Sequence, residues 1–107
     1  MVDLPNRIIK TIKKYLEELK KNKIPVDEII LFGSYARGNF DDFSDIDLLL
    51  VSPIFEGKRF EDKNKIREIT LKVSPQIEVL PCSREEFKKK SPLIEEILKT
   101  GVKISIN

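Results

Sequence analysis

The stretch that decides the fold is GSYARGNFDDFSDIDLLLV, residues 33 to 51. It starts directly after an apolar, β-branched run, Val26 to Phe32, which is typical of a β-strand. It ends in a second strand-like segment, residues 45 to 51, where two aspartates one residue apart lead into a run of leucines. An isolated buried carboxylate is costly. We therefore expect Asp45 and Asp47 to have a compensating partner.

The second strand-like segment has the pattern of a central strand. The run Ile46 to Leu50 is apolar on both faces, which is typical of a central strand that is covered from both sides. Between the strands, Ser34 can cap a short helix over residues 35 to 37, and Gly38 can end that helix in a left-handed conformation. The segment therefore predicts a strand, a short helix, a polar loop and a buried strand.

The rest of the chain supplies further helices and strands. Spacing and capping residues predict four further helices: residues 3–22, capped by Asp3, residues 60–72, Ser83 to about Lys89, and Ser91 to Gly101. In the helix over 60–72, Phe60, Ile66, Ile69 and Leu71 are available for packing. Further strands are predicted over 76–80 and 102–106. We expect an α/β (α+β) fold, a small mixed β-sheet with helices packed on it. A chain of 107 residues suits one domain, residues 1–107.

Composition excludes several classes of function. The net charge of +2 argues against a dedicated nucleic-acid binder, which usually carries a strong basic excess. The single cysteine, Cys82, excludes a disulfide within the chain and a cysteine metal site, and the absence of histidine excludes histidine-based triads and zinc sites. The sequence shows neither a transmembrane run nor an apolar signal-peptide core. We expect a cytoplasmic protein with no membrane partner.

Three carboxylates can converge on one face of the sheet. Asp45 and Asp47 lie two residues apart on a strand, so their side chains share a face with α-carbons about 7 Å apart. Their repulsion is relieved if both bind one divalent cation such as Mg²⁺, which prefers hard oxygen ligands. Glu78 has the same polar–apolar alternation on the third strand. If that strand is the neighbour of the second, Glu78 can join the aspartates.

The segment around Gly33 and Ser34 predicts an anion site. A helix that starts directly after a strand and a glycine presents outward-facing amides, and its dipole favours negative charge. The Ser34 hydroxyl adds a donor, and Arg37 adds a positive charge one turn later. A phosphate cradle beside metal-binding carboxylates is typical of phosphoryl or nucleotidyl transfer. The structural alternative is that Gly33 and Ser34 form a capped turn and Asp45 caps a loop.

These motifs are similar to those of a known superfamily. GSYARG followed by SDIDLLLV resembles the GS-x-x-x-G…D-x-D signature of the polymerase-beta-like nucleotidyltransferases, and the short chain resembles their minimal nucleotidyltransferase (MNT) branch of antitoxins. The similarity extends from the first helix to about Gly101. The resemblance implies the polymerase-beta-like nucleotidyltransferase fold, with ATP as substrate and two Mg²⁺ ions.

The resemblance also implies individual roles. Gly33 and Ser34 would hold the β- and γ-phosphates of the nucleotide, while Asp45 and Asp47 would bind the two magnesium ions. Glu78 stands where the family places a third carboxylate that helps to activate the attacking hydroxyl. The family more often has aspartate there, so the longer arm of Glu78 could weaken or re-aim the second metal.

These motifs say less about the acceptor of the transferred nucleotide than about the nucleotide site. The chain after the third strand is too short for an independent acceptor domain, which favours a partner protein. The resemblance implies an antitoxin that transfers AMP to a tyrosine of a HEPN-type toxin. Two alternatives are a binding module that neutralises its partner by contact alone, and a nucleotidyltransferase for a small molecule.

Overall fold

The computed structural model describes residues 3 to 106, which form a four-stranded sheet with helices on both faces. The elements in chain order are α1 (Asn6–Lys21), β1 (Glu28–Phe32), α2 (Ser34–Arg37), β2 (Ile46–Val51), α3 (Arg59–Val73), β3 (Ile77–Cys82), α4 (Arg84–Lys89), α5 (Pro92–Thr100) and β4 (Val102–Lys103). No helix within these described residues is long and apolar enough to cross a membrane.

The sheet is mixed, with the strand order β3-β2-β1-β4. β2 runs antiparallel to β1 and parallel to β3, and β4 pairs antiparallel with the other side of β1. The predicted fold class is therefore confirmed. β3 is the neighbour of β2, which is the condition that the sequence set for Glu78 to approach the aspartates. β3 is also an edge strand in the described part of the chain, and Pro81 is tolerated there because no further strand among these residues needs its missing N–H.

β2 is buried on both faces, as its leucine run predicts. On one face, Leu48 and Leu50 pack in a core that includes the buried sides of α1 and α3. On the other face, Leu49 and Val51 pack with residues of α5 and with Cys82. Burial raises the pKa of the Cys82 thiol to about 11, so the thiol is protonated at neutral pH and serves as a packing residue.

The start of α3 is fixed by a buried carboxylate. Asp62 is fully buried and accepts hydrogen bonds of 3.0–3.1 Å from the backbone N–H groups of Glu56, Gly57 and Lys58. Lys65 lies 3.3 Å away and supplies the opposite charge. These bonds satisfy the charge that burial would otherwise penalise. They also hold the loop before α3, and with it the helix that carries Lys63.

Three sequence predictions about helix caps and packing are wrong in detail. The N-cap of α1 is Pro5, which makes no side-chain cap bond, so Asp3 does not cap the helix. Ser34 is the first helical residue of α2 and Gly33 occupies the cap, because the glycine makes the turn itself. Phe60 and Leu71 are 73% and 58% exposed, since α3 turns a different face toward the core.

Other boundaries agree closely with the predictions. The Ser83–Glu86 capping box starts α4, and Ser91 caps α5 ahead of Pro92. Gly38 ends α2 in the left-handed conformation, with φ of 83°. The predicted strand over residues 102–106 is reduced to two residues, although the Ile104 N–H still donates to the Ile29 carbonyl at 3.0 Å.

Candidate active site

Asp47 lies at the centre of the residues that the motifs single out. In the sheet register it pairs with Phe32 at the end of β1 and with Glu78 on β3. Directly paired residues on neighbouring strands point to the same face of a sheet. The Asp47 side chain therefore stands between the turn that follows β1 and the Glu78 side chain. The register between β2 and β3 produces this arrangement.

Gly33 contacts the Asp47 carboxylate closely. A β-carbon placed on Gly33 would collide with Asp47 Oδ2 and lie 3.1 Å from its Cγ. The glycine also has φ of 74° and ψ of −150°, a conformation that side chains do not tolerate. Both observations require glycine at this position. The fold thus places the turn that begins α2 directly against the carboxylate of β2.

The electrostatics of Asp47 join four of the predicted site residues. Burial raises the pKa of Asp47 above its ordinary value of 3.8, and the negative charges of Asp45 and Glu78 raise it further. The positive charge of Arg37 acts in the opposite direction. A partly buried carboxylate that is repelled by two negative neighbours is suited to bind a cation or a proton.

Asp45 and Glu78 are more exposed than Asp47. Asp45 precedes β2 in the loop and is solvent-exposed, whereas Asp47 is half-buried. The Glu78 side chain is 56% exposed, and its Oε1 lies 2.5 Å from Nζ of Lys63 on α3. Glu78 is therefore directed toward Lys63.

The residues present fit a divalent cation in chemistry, although they do not form a complete cage. Within residues 3–106, no three or more carboxylate, thiol or imidazole side chains are grouped as a metal centre. Asp45 and Asp47 offer the hard oxygen atoms that Mg²⁺ prefers, and Mg²⁺ commonly takes its remaining ligands from water and substrate phosphates. Burial is the main cause of the raised pKa of Asp47, and the charges of Asp45 and Glu78 add to it. A bound cation would offset the repulsion from these two carboxylates.

The loop that carries Asp45 is held by hydrogen bonds at its base. The Tyr35 hydroxyl donates to the Asp41 carbonyl at 3.3 Å, and the Gln76 side-chain amide donates to the Ser44 carbonyl at 3.0 Å. Tyr35 is fully buried and its ring stacks on Phe40 with centroids 4.6 Å apart. Tyr35 is thus a packing residue that supports the loop.

Arg7 completes this support and was not predicted from the sequence. Its guanidinium donates to the Tyr35 hydroxyl at 3.1 Å and to Gln76 Oε1 at 3.5 Å, and it lies 3.6 Å from Asp42 Oδ1. Arg7 belongs to α1, far from the loop in sequence. On the amphipathic helix it resembles the other exposed cations, so no spacing signal distinguishes it.

Arg7→Ala is expected to loosen the loop over residues 39–44 without unfolding the sheet. The variant loses hydrogen bonds from a charged donor, worth about 1 kcal/mol of local stability, so amide hydrogen exchange in the loop should accelerate roughly fivefold. Lys10→Ala, at an exposed cation of the same helix, is the matched control and should exchange like the wild type. Unchanged loop exchange in Arg7→Ala would contradict the proposed support.

Comparison with known proteins agrees with the geometry. A family model described as a nucleotidyltransferase domain matches residues 9–104. A Methanocaldococcus jannaschii protein named "Putative protein adenylyltransferase" is 37% identical over 99 residues, which cover 91% of this chain and 95% of that protein. A second protein of that name from the same organism is 39% identical over 82 residues, 71% of this chain and 55% of the relative.

A solved structure shares the architecture as well. A crystal structure titled as a putative nucleotidyltransferase from Sulfolobus solfataricus superposes with a TM-score of 0.66 at 25% identity, and covers 91% of this chain and 78% of that one. The family match spans most of the chain and includes the Gly33–Ser34 turn, the two aspartates and Glu78. The chain therefore belongs to the nucleotidyltransferase domain family and is a nucleotidyltransferase.

Proposed function

We propose that this chain is a magnesium-dependent protein adenylyltransferase that transfers AMP from ATP to a hydroxyl group of a partner protein. The observation that carries the proposal is the Asp47 carboxylate, which is packed against the Gly33 turn and repelled by Asp45 and Glu78. A nucleotide triphosphate with its cation matches both features, because the turn offers amides to phosphate and the carboxylates bind the ion.

Each residue then has a defined task. Gly33 and Ser34 bind the β- and γ-phosphates, and Arg37 offsets the negative charge around Asp47. Asp45 and Asp47 would together hold two Mg²⁺ ions. When bound, this metal would stabilise the charge that develops on the phosphate oxygens and would lower the pKa of the attacking hydroxyl.

The transfer forms one bond and breaks one bond at the α-phosphorus of ATP. The acceptor oxygen bonds to the α-phosphorus of ATP while the bond to the bridging oxygen breaks, and pyrophosphate leaves. In this proposal Glu78 accepts the hydroxyl proton, which is supported by its pairing with Asp47 in the register and by its half-exposed side chain. For this role its carboxylate has to leave Lys63, whose Nζ lies 2.5 Å from Glu78 Oε1.

The acceptor is proposed from similarity. The two Methanocaldococcus jannaschii relatives carry the name of a protein adenylyltransferase, which supports a protein acceptor here. The resemblance to the MNT branch supports a finer proposal, in which the acceptor is a tyrosine of a HEPN-type toxin and this chain, as a single cytoplasmic domain, is the antitoxin. The near-neutral net charge of +2 makes a nucleic-acid acceptor less favourable.

Mixing the chain with ATP, Mg²⁺ and the product of the neighbouring gene tests the proposal. Intact-mass spectrometry is expected to show that the product gains the mass of one or more AMP groups, and fragmentation is expected to place them on tyrosine. Omission of Mg²⁺ and the Asp47→Asn variant are the controls, and both should leave the acceptor unmodified. A wild-type chain that adds no AMP under any of these conditions would overturn the proposal.

One observation favours a second candidate, neutralisation by contact alone. The contact between Lys63 and Glu78 occupies the third carboxylate, which would leave the transfer site incomplete if the pair never separated. The double variant Asp45→Ala/Asp47→Ala separates the two functions. A double variant that still neutralises the partner fully would favour the contact mechanism, whereas loss of neutralisation together with AMP transfer favours catalysis.

A further inference from the structure

An open groove lies between α3 and the edge strand β3, on the face of the sheet opposite to the Asp47 side chain. Its volume is about 420 Å³, and Glu78, the register partner of Asp47, forms part of its lining. Among residues 3–106 no further strand lies on the outer side of β3, so the groove opens at the edge of the sheet. Ile77 and Val79 point into the groove, whereas Glu78 points to the other face of the sheet. A molecule in the groove would therefore reach Glu78 around the open edge of β3, where Lys63 of α3 contacts its carboxylate.

One stripe of α3 faces this groove. Phe60, Asn64, Arg67 and Leu71 recur at helical spacing and all line it. Phe60 is 73% exposed and Leu71 is 58% exposed, although both are large apolar side chains. The helix thus presents apolar surface at both ends of the stripe with polar residues between them. Apolar surface next to an open cavity is typical of an interaction site.

The charge of the groove is positive. Lys63 and Arg67 line it together with one carboxylate, Glu78. Lys63 is paired with Glu78 at 2.5 Å, whereas Arg67 makes no ion pair or side-chain hydrogen bond among residues 3–106. The unpaired guanidinium between two apolar side chains is suited to a carboxylate on a partner, because arginine binds carboxylates with two parallel hydrogen bonds.

We propose that the α3–β3 groove is the docking site for the acceptor protein, and that it binds an acceptor segment with an acidic side chain next to an apolar one. The inference rests on the proposed function and adds to it the surface that selects the acceptor. Leu71, one turn from Arg67, covers the apolar side chain, and Arg67 binds the carboxylate. Phe60 lies about 16 Å from Leu71 along the helix and contacts a second apolar side chain of the segment. A segment held there continues around the open edge of β3, where a nearby hydroxyl reaches Glu78 and then Asp47 on the other face of the sheet.

Variants at exposed positions test the surface without disturbing the core. Phe60→Ser, Leu71→Ser and Arg67→Glu each change one exposed residue of the groove. Leu93→Ser, at an apolar residue of α5 that is 51% exposed, is the matched control for the first two, and Lys99→Glu is the control for the charge reversal. Thermal melting should show that all five variants remain folded.

A peptide probe measures docking without catalysis. The probe is a capped synthetic peptide of sequence Glu-Glu-Leu-Tyr-Glu-Glu, and its counterpart carries lysine in place of every glutamate. Titration of the isotope-labelled chain should shift amide signals along the α3 stripe and β3 with the acidic peptide. Affinity is expected to fall about tenfold with the lysine peptide and in each groove variant, but not in the controls.

Transfer to the acceptor protein separates this inference from the proposed function. In the groove variants, the KM for the acceptor should rise about tenfold while the KM for ATP is unchanged, because docking is lost and the nucleotide site is intact. If the wild type transfers AMP and Phe60→Ser keeps the same KM for the acceptor, the docking inference is wrong and the proposed function is supported. If the wild type transfers no AMP but the acidic peptide shifts the amide signals of the groove, the proposed function is wrong and the docking inference is supported.

Two further outcomes would overturn the docking inference. The first is equal affinity for the acidic and the lysine peptide, or peptide shifts outside the groove. The second is a chain that is dimeric in solution and becomes monomeric with Phe60→Ser, because the groove would then be occupied by a second copy of the chain. Light scattering of the wild type and of Phe60→Ser decides this point.

Discussion

Asp47→Asn is expected to abolish nucleotidyl transfer and to stabilise the fold slightly at neutral pH. The variant keeps the size of the side chain but removes the charge that would hold the cation beside the phosphates. Loss of such a group should reduce the rate on the order of 10³-fold or more. AMP transfer, followed by mass spectrometry or with labelled ATP, measures the loss.

The stability change has the opposite sign because of the pKa of Asp47. Burial, with Asp45 and Glu78, raises that pKa in the folded chain above the ordinary value of 3.8. The folded state therefore binds the proton more tightly than the unfolded state, and stability falls as the pH rises through the folded pKa. Asparagine carries no such penalty. Because water screens a half-exposed group, the gain at pH 7 is only about 0.5 kcal/mol.

Melting curves at two pH values and with added Mg²⁺ check this explanation. At pH 7 the variant should melt about 2–4 °C higher than the wild type, and the difference should vanish below pH 3.8, where both states of the wild type are protonated. Mg²⁺ should raise the melting temperature of the wild type more than that of the variant. Glu17→Gln, at an exposed residue of α1, should change neither activity nor stability. A destabilised or still active Asp47→Asn would contradict the role of Asp47.

The sequence predicted the sheet that carries this site for reasons that are local. The leucine run of β2 and the glycines that flank α2 determine conformation through burial and backbone freedom, and both are visible in a single segment. The alternation around Glu78 placed its side chain opposite Ile77 and Val79, and the structure has both isoleucine and valine buried with Glu78 exposed.

The rest of the site depends on which elements become neighbours. Lys63 and Glu78 form a pair because α3 packs along β3, and nothing in their spacing of 15 residues indicates it. Arg7 supports the Asp45 loop from another helix for the same reason. Apolar spacing also could not show that Phe60 and Leu71 remain exposed, because their exposure depends on whether a neighbour covers that face of α3.

Gly33→Ala is the second variant with a large expected effect, on both stability and transfer. The backbone at Gly33 has φ of 74° and ψ of −150°, where a side chain costs about 1–3 kcal/mol. In addition, the new methyl group would collide with Asp47 Oδ2. The carboxylate has to move away from the turn that binds phosphate, and such a displacement near the reacting groups can reduce the rate by about 100-fold.

A second glycine separates the strain from the collision. Gly57 also has a positive φ, of 85°, but a β-carbon there would lie no closer than 3.8 Å to any other side chain of residues 3–106. Gly57→Ala should therefore lose stability through the backbone alone, and it should retain transfer. Denaturant unfolding and AMP transfer of the two variants measure the difference. Equal loss of transfer in both would show that general destabilisation explains the effect of Gly33→Ala.

The double variant Gly33→Ala/Asp47→Ala tests the contact itself. Truncation of Asp47 removes the oxygen atom that the methyl group strikes and leaves its own β-carbon 3.4 Å away, which is ordinary contact distance. The alanine at position 33 should then cost only the backbone strain, so it should destabilise the Asp47→Ala background by about 1 kcal/mol less than the wild type. Additive free energies of unfolding would mean that the turn and the carboxylate are independent. Coupling of the expected sign would establish that the close approach of Gly33 fixes the position of the Asp47 carboxylate.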